Sequence, residues 1–204
     1  MLLAALFSSS MRCFATTWRM AAAVGILLTA LAPGVAAAAQ VHSLTVTHHG
    51  NGFSIVFDGV VEAPPPRVYA LLADYARLGR LNPVITAMHV EAAPNGRGER
   101  VRSVIRSCVL LFCKEIVQVE DVTEPDANTI VAHIVPGAGD FESGWCFWRV
   151  SGEGPHTRLH YEATRVARFW IPPLIGPWAI RRTMREQFES GIATLERLAK
   201  EADR

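Results

Sequence analysis

One stretch near the C-terminus decides the fold of this chain: residues 172–200 read PPLIGPWAIRRTMREQFESGIATLERLAK. After a cluster of prolines, apolar side chains recur at i, i+4, i+8 and i+11, which is the spacing of one helical face. This face consists of Met184, Phe188, Ile192, Leu195 and Ala199. The pattern predicts one amphipathic helix over 177–201, roughly 37 Å long. Because one side of this helix is apolar, we expect a concave partner to cover it.

Gly191 lies within the apolar stretch, where glycine costs about 1 kcal/mol of helix stability relative to alanine. Two interpretations stay open. Either a sheet backbone approaches the helix closely at this point, or space is left beside it. Close packing is the simpler of the two.

The composition predicts a single domain with no electrostatic reason to bind nucleic acid. The chain has 204 residues and a formal net charge of +1, and half of its residues are hydrophobic. Nucleic-acid-binding domains are usually strongly basic, whereas the net charge of this chain is close to zero.

The N-terminal region has the layout of a secretory signal peptide. Two arginines precede an apolar stretch, Ala21 to Leu31, and the small-residue run Val35 to Ala39 follows it. We therefore expect residues 1–39 to be cleaved and residues 40–204 to form one domain in the periplasm. A membrane anchor is the alternative, but the apolar stretch is shorter than the roughly 20 residues that cross a bilayer.

Export would place the cysteines in an oxidising compartment, where disulfides form. Cys108 and Cys113 flank four apolar residues, a spacing that suits a disulfide across a hairpin loop in an oxidising compartment. A metal site is the alternative, but partner ligands are missing nearby. Cys146 lies between two aromatic residues and is expected to be a small buried hydrophobe.

The middle of the chain reads as β-structure interrupted once by two short helices. Prolines and Asp74 mark the starts of these helices, predicted over 66–73 and 75–81. Runs rich in β-branched and aromatic residues predict strands at 44–46, 53–61, 85–92, 99–108, 114–122, 129–135, 141–150 and 157–169. An Asn-Gly turn is expected between the first two strands.

The segment at 64–85, PPPRVYALLADYARLGRLNPVI, resembles the START-like superfamily, also called SRPBCC or helix-grip. Within it, the chain is similar to the polyketide cyclase/dehydrase and lipid transport group, which includes coenzyme Q binding proteins. The matching positions are Pro66, Val68, Tyr69, Leu72, Asp74, Tyr75, Leu78, Leu81, Asn82 and Pro83, with a second match around Trp145, Phe147, Thr157, Arg158, Leu159 and Tyr161. The resemblance covers about 53–200.

The resemblance implies an α+β helix-grip fold. In this fold a curved antiparallel sheet wraps around the long C-terminal helix, with two short helices after the first core strand and a hydrophobic cavity between sheet and helix. The signal peptide and the cysteine pair depart from the cytosolic pattern of the family. They weaken the transfer of any cytosolic member's role.

The residues alone leave open which face of the strand at 141–150 points inward, because both faces are apolar. The resemblance favours the face of Trp145 and Phe147. The predicted ligand-binding residues are Trp145, Phe147, Leu159, Tyr161, Met184, Phe188 and Ile192. They are expected to line a pocket for a lipid, quinone or other hydrophobic ligand. A filled core is the alternative.

Candidate acids and bases are scattered along the strands: Asp140, Glu142, His133, His160, Glu162 and Arg165. Glu142 and His133 on adjacent strands are the best candidates for proton abstraction beside a carbonyl. Solvated charges on the outer face of the sheet explain them equally well. The sequence contains no nucleophile elbow, phosphate-binding loop or zinc-protease motif.

The sequence therefore favours an exported protein that binds a hydrophobic small molecule or lipid without transforming it, and it implies no cofactor and no metal. The first alternative is a cyclase or dehydratase acting on an aromatic polyketide-like substrate. The second is an interaction protein whose apolar loop, Leu110, Leu111 and Phe112, contacts a membrane or a membrane protein.

Overall fold

The computed structural model describes residues 40–109, 112–171 and 176–201, so the expected signal peptide lies outside the described residues. The described strands are β1 Gln40–His49, β2 Gly52–Val61, β3 Ile85–Ala92, β4 Glu99–Val109, β5 Phe112–Asp126, β6 Thr129–Ile134, β7 Phe141–Glu153 and β8 His156–Ala167. The described helices are α1 Pro65–Leu72, a 3-10 helix Tyr75–Arg80 and α2 Gly176–Glu201.

The strands form one curved, unclosed sheet in the order β1-β2-β8-β7-β6-β5-β4-β3, with every neighbouring pair antiparallel. Its concave face receives α2. The prediction of an α+β helix-grip fold with two short helices after the first core strand is therefore confirmed.

The predicted apolar face of α2 is the face that packs. Ile192, Leu195 and Ala199 are all less than 5% exposed. Phe188 stacks on Phe57 of β2 with ring centroids 4.5 Å apart. Burial of each large apolar side chain contributes about 1.5 to 3 kcal/mol. No helix in the described part of the chain is both long and apolar enough to cross a membrane.

Polar contacts fix the C-terminal half of α2 beside α1. The backbone N–H of Glu62 donates to Glu196 Oε2 at 3.2 Å, and Arg67 Nη1 donates to the carbonyl of Ala199 at 3.3 Å. The fully buried Thr157 of β8 donates to the carbonyl of Ala63 at 2.6 Å. These contacts hold the chain between β2 and α1 against both the sheet and the helix.

The two short helices are attached to the sheet through one carboxylate. Tyr69 of α1 and Tyr75 of the 3-10 helix both donate to Glu124 of β5, at 2.6 and 2.9 Å. Asp74 lies at the N-cap of the second helix, as predicted, but its side chain makes no capping hydrogen bond. Its carboxylate instead lies 3.3 Å from Arg77, where it forms an exposed ion pair.

The β1–β2 turn differs by one residue from the expected Asn-Gly turn. His49 pairs with Gly52, which leaves Gly50 and Asn51 as the two turn residues. Gly50 has a φ of 59°, a value that glycine adopts without strain. The register of β1 and β2 therefore places the glycine first in the turn.

His160, on the outer face of the sheet, makes stability depend on pH. Its ring nitrogens lie 3.0 Å from Asp58 and 3.0 Å from Glu162. Burial lowers the pKa of His160, but the hydrogen bonds and charges of the two carboxylates outweigh it and raise the pKa above its ordinary value. The stabilisation is thus fully present below the ordinary pKa of about 6.5 and lost as the pH rises through the raised pKa.

We expect His160→Gln to lower the melting temperature at about pH 5.5 by more than it does at about pH 8. Thermal unfolding of both proteins at the two pH values measures this difference. An equal loss at both values would contradict the role given to the two carboxylates.

Candidate functional site

A cavity of about 290 Å³ lies between the concave face of the sheet and α2. Pockets for small molecules usually measure about 300 to 1,000 Å³, so this one is at the lower end of the range. The helix side of the wall consists of Met184, Gln187, Phe188, Gly191, Ile192 and Leu195. The remaining wall comes from the sheet and the short helices, and it is apolar except for Tyr75, Asn82, Glu120, Cys146 and Tyr161.

Five of the seven predicted ligand-binding residues lie in this wall: Leu159, Tyr161, Met184, Phe188 and Ile192. Strand β8 presents the first two because alternate residues of a strand share a face. The last three recur at helical spacing along α2. That they contact a ligand stays a prediction.

The prediction for β7 chose the wrong face. Cys146 and Trp148 line the cavity, whereas Trp145 and Phe147 do not. The physical reason is the register of β7 and β8, in which Trp148 pairs directly with Tyr161. Directly paired residues share a face, so even-numbered residues of β7 accompany odd-numbered residues of β8.

Phe147 lies on the outer face instead. Its ring meets the ring of His160 edge-on at 6.4 Å, and the guanidinium of Arg149 lies 5.3 Å from its centroid. Aromatic rings on an outer sheet face commonly pack against such polar neighbours. Phe147 therefore lies on the outer surface of the sheet and not in the cavity wall.

An aromatic cluster forms one side of the cavity. Trp148 lies 4.4 Å from Tyr161 and 6.3 Å from Phe188, measured between ring centroids, and Phe188 lies 5.4 Å from Tyr161. The stack of Phe188 on Phe57 anchors the cluster in the core. Rings of this kind offer flat apolar contact surfaces.

Gly191 contributes space rather than close packing. A Cβ atom at this position would meet only the carbonyl oxygen of Leu81, at an ordinary contact distance of 3.7 Å. Of the two interpretations of this glycine, the structure favours the second, in which room is left beside the helix.

A buried ion pair lies beside the cavity, and one of its members, Glu120, belongs to the cavity wall. Nη2 of Arg165, from β8, donates to Oε1 of Glu120, from β5, at 2.5 Å. The two side chains are only 6% and 13% exposed. Gln118 donates to the second carboxylate oxygen at 2.7 Å. Burial lowers the pKa of Arg165, but the charge of Glu120 raises it above its ordinary value, so the guanidinium stays protonated.

Gly144 makes this pair sterically feasible. Two strands, β6 and β7, separate β5 from β8 in the sheet, so the arginine must extend across β7 to reach Glu120. Gly144 is the direct partner of Arg165 on β7. A Cβ at Gly144 would lie 2.9 Å from Cδ of Arg165, which is too close for two carbon atoms. The missing side chain therefore leaves a path for the arginine.

Two further lining groups are neutral. Burial raises the pKa of the Cys146 thiol to about 12, and the charge of Glu120 adds to the rise. Burial likewise raises the pKa of Tyr161, followed by the effects of Cys146 and Glu120. Cys146 is therefore an unreactive thiol, as expected of a small buried hydrophobe.

The two residues predicted as candidate catalytic bases, Glu142 and His133, do not line the cavity. Glu142 and His133 are both exposed, and neither belongs to the cavity wall. His133 pairs with Trp145, whose face points away from α2. Among the described residues, no group of His, Cys, Asp and Glu side chains comes together as a metal site.

The predicted disulfide between Cys108 and Cys113 is confirmed, with the two Cα atoms 4.0 Å apart. The two cysteines are direct partners in the β4–β5 hairpin. Lys114 Nζ lies 4.6 Å from the ring centroid of Phe169, so this hairpin end contacts the segment that follows β8. The expected apolar tip, Leu110, Leu111 and the Phe112 side chain, lies outside the described residues.

Sequence reasoning missed the partnership of Glu120 with Arg165. The pair is separated by 45 residues, and no local spacing connects them. The available signals were a glycine inside a strand, which marks a close approach, and an arginine at an inward position of the apolar strand β8.

Residues 52–202 match a protein family described as polyketide cyclase / dehydrase and lipid transport. No curated protein sequence matches the chain. A solved structure from Thermus thermophilus is 24% identical with a TM-score of 0.59, over 74% of this chain and 99% of the other.

Two other solved structures are similar at lower identity. A START superfamily protein from Mycobacterium smegmatis is 18% identical with a TM-score of 0.58, over 73% of this chain and 98% of its own. The Zhui aromatase/cyclase from a Streptomyces species is 15% identical with a TM-score of 0.58, over 75% and 96%. At these identities the similarity shows the fold alone.

The ion pair yields a stability prediction. Arg165→Met leaves the Glu120 carboxylate buried without its main partner, so we expect a loss of about 3 to 5 kcal/mol in the free energy of unfolding. The double variant Arg165→Met/Glu120→Leu removes both charges and should recover most of this loss. Urea unfolding of the single and the double variant measures how strongly Arg165 and Glu120 depend on each other. Equal stability of the two variants would contradict the prediction.

Proposed function

Because the chain belongs to the polyketide cyclase/dehydrase and lipid transport family of START-like proteins, we propose that it binds a hydrophobic small molecule without transforming it. The ligand class is a lipid, a quinone or a polyketide-like compound. The observation that carries the proposal is the cavity of about 290 Å³, with its apolar and aromatic wall and the room left at Gly191. An apolar cavity of this kind gains free energy by exchanging water for an apolar ligand.

We further propose that binding serves transport in the periplasm. Two independent features support export: the expected signal peptide at residues 1–39 and the disulfide between Cys108 and Cys113. Disulfides persist in oxidising compartments and are rare in the cytosol.

The alternative function, a cyclase or dehydratase, has weaker support. Glu142 and His133, which the sequence put forward as its bases, lie on the exposed surface and away from the cavity. A general base must come within hydrogen-bond reach of the proton that it removes. A substrate held in the cavity would be out of reach of both residues.

A membrane is the proposed source or destination of the ligand. Trp170 and Trp178 are 72% and 54% exposed, and they flank the start of α2 in the sequence. Residues 168–185 contain four arginines, two of which, Arg182 and Arg185, form ion pairs with Glu186 and Glu189. Exposed tryptophans beside arginines suit the interface of an anionic bilayer. We include the hairpin tip, Leu110, Leu111 and Phe112, in this proposed contact because Lys114 meets Phe169.

Filling the cavity at Gly191 tests ligand binding. We expect Gly191→Leu to place its side chain in the cavity and to reduce bound ligand at least about tenfold, since the ligand loses its space. Gly191→Ala is the matched control. It should retain the ligand and stabilise the helix by about 1 kcal/mol.

Native mass spectrometry of each protein, purified from the periplasm, followed by organic extraction, measures the bound ligand. A stoichiometric hydrophobic compound in the unsubstituted protein and in Gly191→Ala, but not in Gly191→Leu, supports the proposal. Equal retention in both variants would count against this cavity as the binding site.

The membrane contact has its own test. We expect Trp170→Ser/Trp178→Ser to reduce sedimentation with phosphatidylglycerol vesicles several-fold, because both indole rings would leave the interface. Val56→Ser, which removes another exposed apolar side chain at 38% exposure, is the control and should sediment like the unsubstituted protein. Unchanged sedimentation of the double variant would refute the contact.

A further inference from the structure

One polar group of the cavity wall is suited to select the ligand. Tyr75 already donates its hydroxyl to Glu124 at 2.9 Å. Asn82 accepts a hydrogen bond from the backbone N–H of Val84 at 3.2 Å. Cys146 is a neutral, buried thiol and only a weak donor. Tyr161, Trp148 and Gln187, the other lining residues with polar atoms, are neutral, so Glu120 is the one charged group among the described residues that line the cavity.

Glu120 retains free capacity as an acceptor. A carboxylate offers about four lone-pair sites on its two oxygens. Arg165 uses a site on Oε1 and Gln118 uses a site on Oε2. The side chain is 13% exposed and belongs to the cavity wall. A ligand group in the cavity can therefore reach a carboxylate that accepts hydrogen bonds and donates none.

The charge balance limits which donor fits. Arg165 already neutralises Glu120, so an ammonium group would bring an uncompensated charge into a buried site. A ligand carboxylate would place its own acceptor oxygens against those of Glu120, and it would also lose its hydration. A ketone or an ether supplies no hydrogen to donate. Only a neutral donor satisfies the free lone pairs without adding charge.

We propose that the ligand of this cavity carries a neutral hydroxyl group, an alcohol or phenol on a hydrophobic body, which donates its hydrogen bond to Glu120. The inference rests on the proposed function, in which the cavity holds a hydrophobic small molecule. The body of the ligand lies against Trp148 and Phe188, whose rings offer flat apolar contact.

Three matched probes test the proposal on the unsubstituted protein: 4-octylphenol, its methyl ether 4-octylanisole, and 4-octylbenzoic acid. They share one hydrophobic body and differ only in the polar end. Isothermal titration calorimetry should give a Kd for the phenol that is about tenfold or more below those of the ether and the acid, as expected for a hydrogen bond to a charged group.

Glu120→Gln provides a second measurement. We expect its preference for the phenol over the ether to fall several-fold, because the acceptor loses its charge. Glu115→Gln makes the same chemical change on the same strand at an exposed position, and it should keep the full preference. If Glu120→Gln does not fold, the three probes on the unsubstituted protein decide the matter.

The outcomes separate the two proposals. Equal affinity for phenol and ether, or tighter binding of the acid, would overturn the hydroxyl inference and leave ligand binding intact. An undiminished phenol preference in folded Glu120→Gln would overturn the assignment to Glu120. Failure of all three probes to bind, together with an empty protein in native mass spectrometry, would overturn both proposals.

Discussion

The burial of one apolar face of α2 in the concave sheet is the constraint on which the rest of this structure depends. Leu195 and Ala199 are almost completely buried, whereas Met184 and Phe188 are only half-buried and border the cavity. One face of the helix thus forms the cavity wall from Met184 to Leu195 and packs tightly in its last turn, at Ala199. Because the same contacts stabilise the fold and shape the cavity, stability and ligand space are set together.

The ion pair between Glu120 and Arg165 places one charged residue, Glu120, in the largely apolar wall of the cavity. On β8, Arg165 lies between Ala163, which belongs to the main core, and Ala167, which belongs to a smaller apolar cluster with Phe141 and Ile171. Replacing a buried ion pair by apolar residues is often neutral or stabilising. Stability alone is therefore a weak reason for a buried ion pair at this place, and the proposed role of Glu120 in ligand binding supplies a second one.

Most of the fold follows from local signals in the sequence, while the site depends on pairings between distant residues. The helical spacing of Phe188, Ile192 and Leu195 predicts α2 because one period fits the whole segment. Strand β7 offers no such guidance, since both of its faces are apolar. Its inward face is decided by its register with β8, which no local pattern contains. The same holds for Glu120 and Arg165, which meet only because the sheet curves.

The disulfide carries a consequence for how the sheet is assembled. Cys108 and Cys113 face each other only in the observed register of β4 and β5, since a slip by one residue would set Cys108 opposite Lys114. Oxidation in that register would then prevent later slippage of an 11-residue strand against a 15-residue one. The bond acts as a covalent lock on the register of this hairpin.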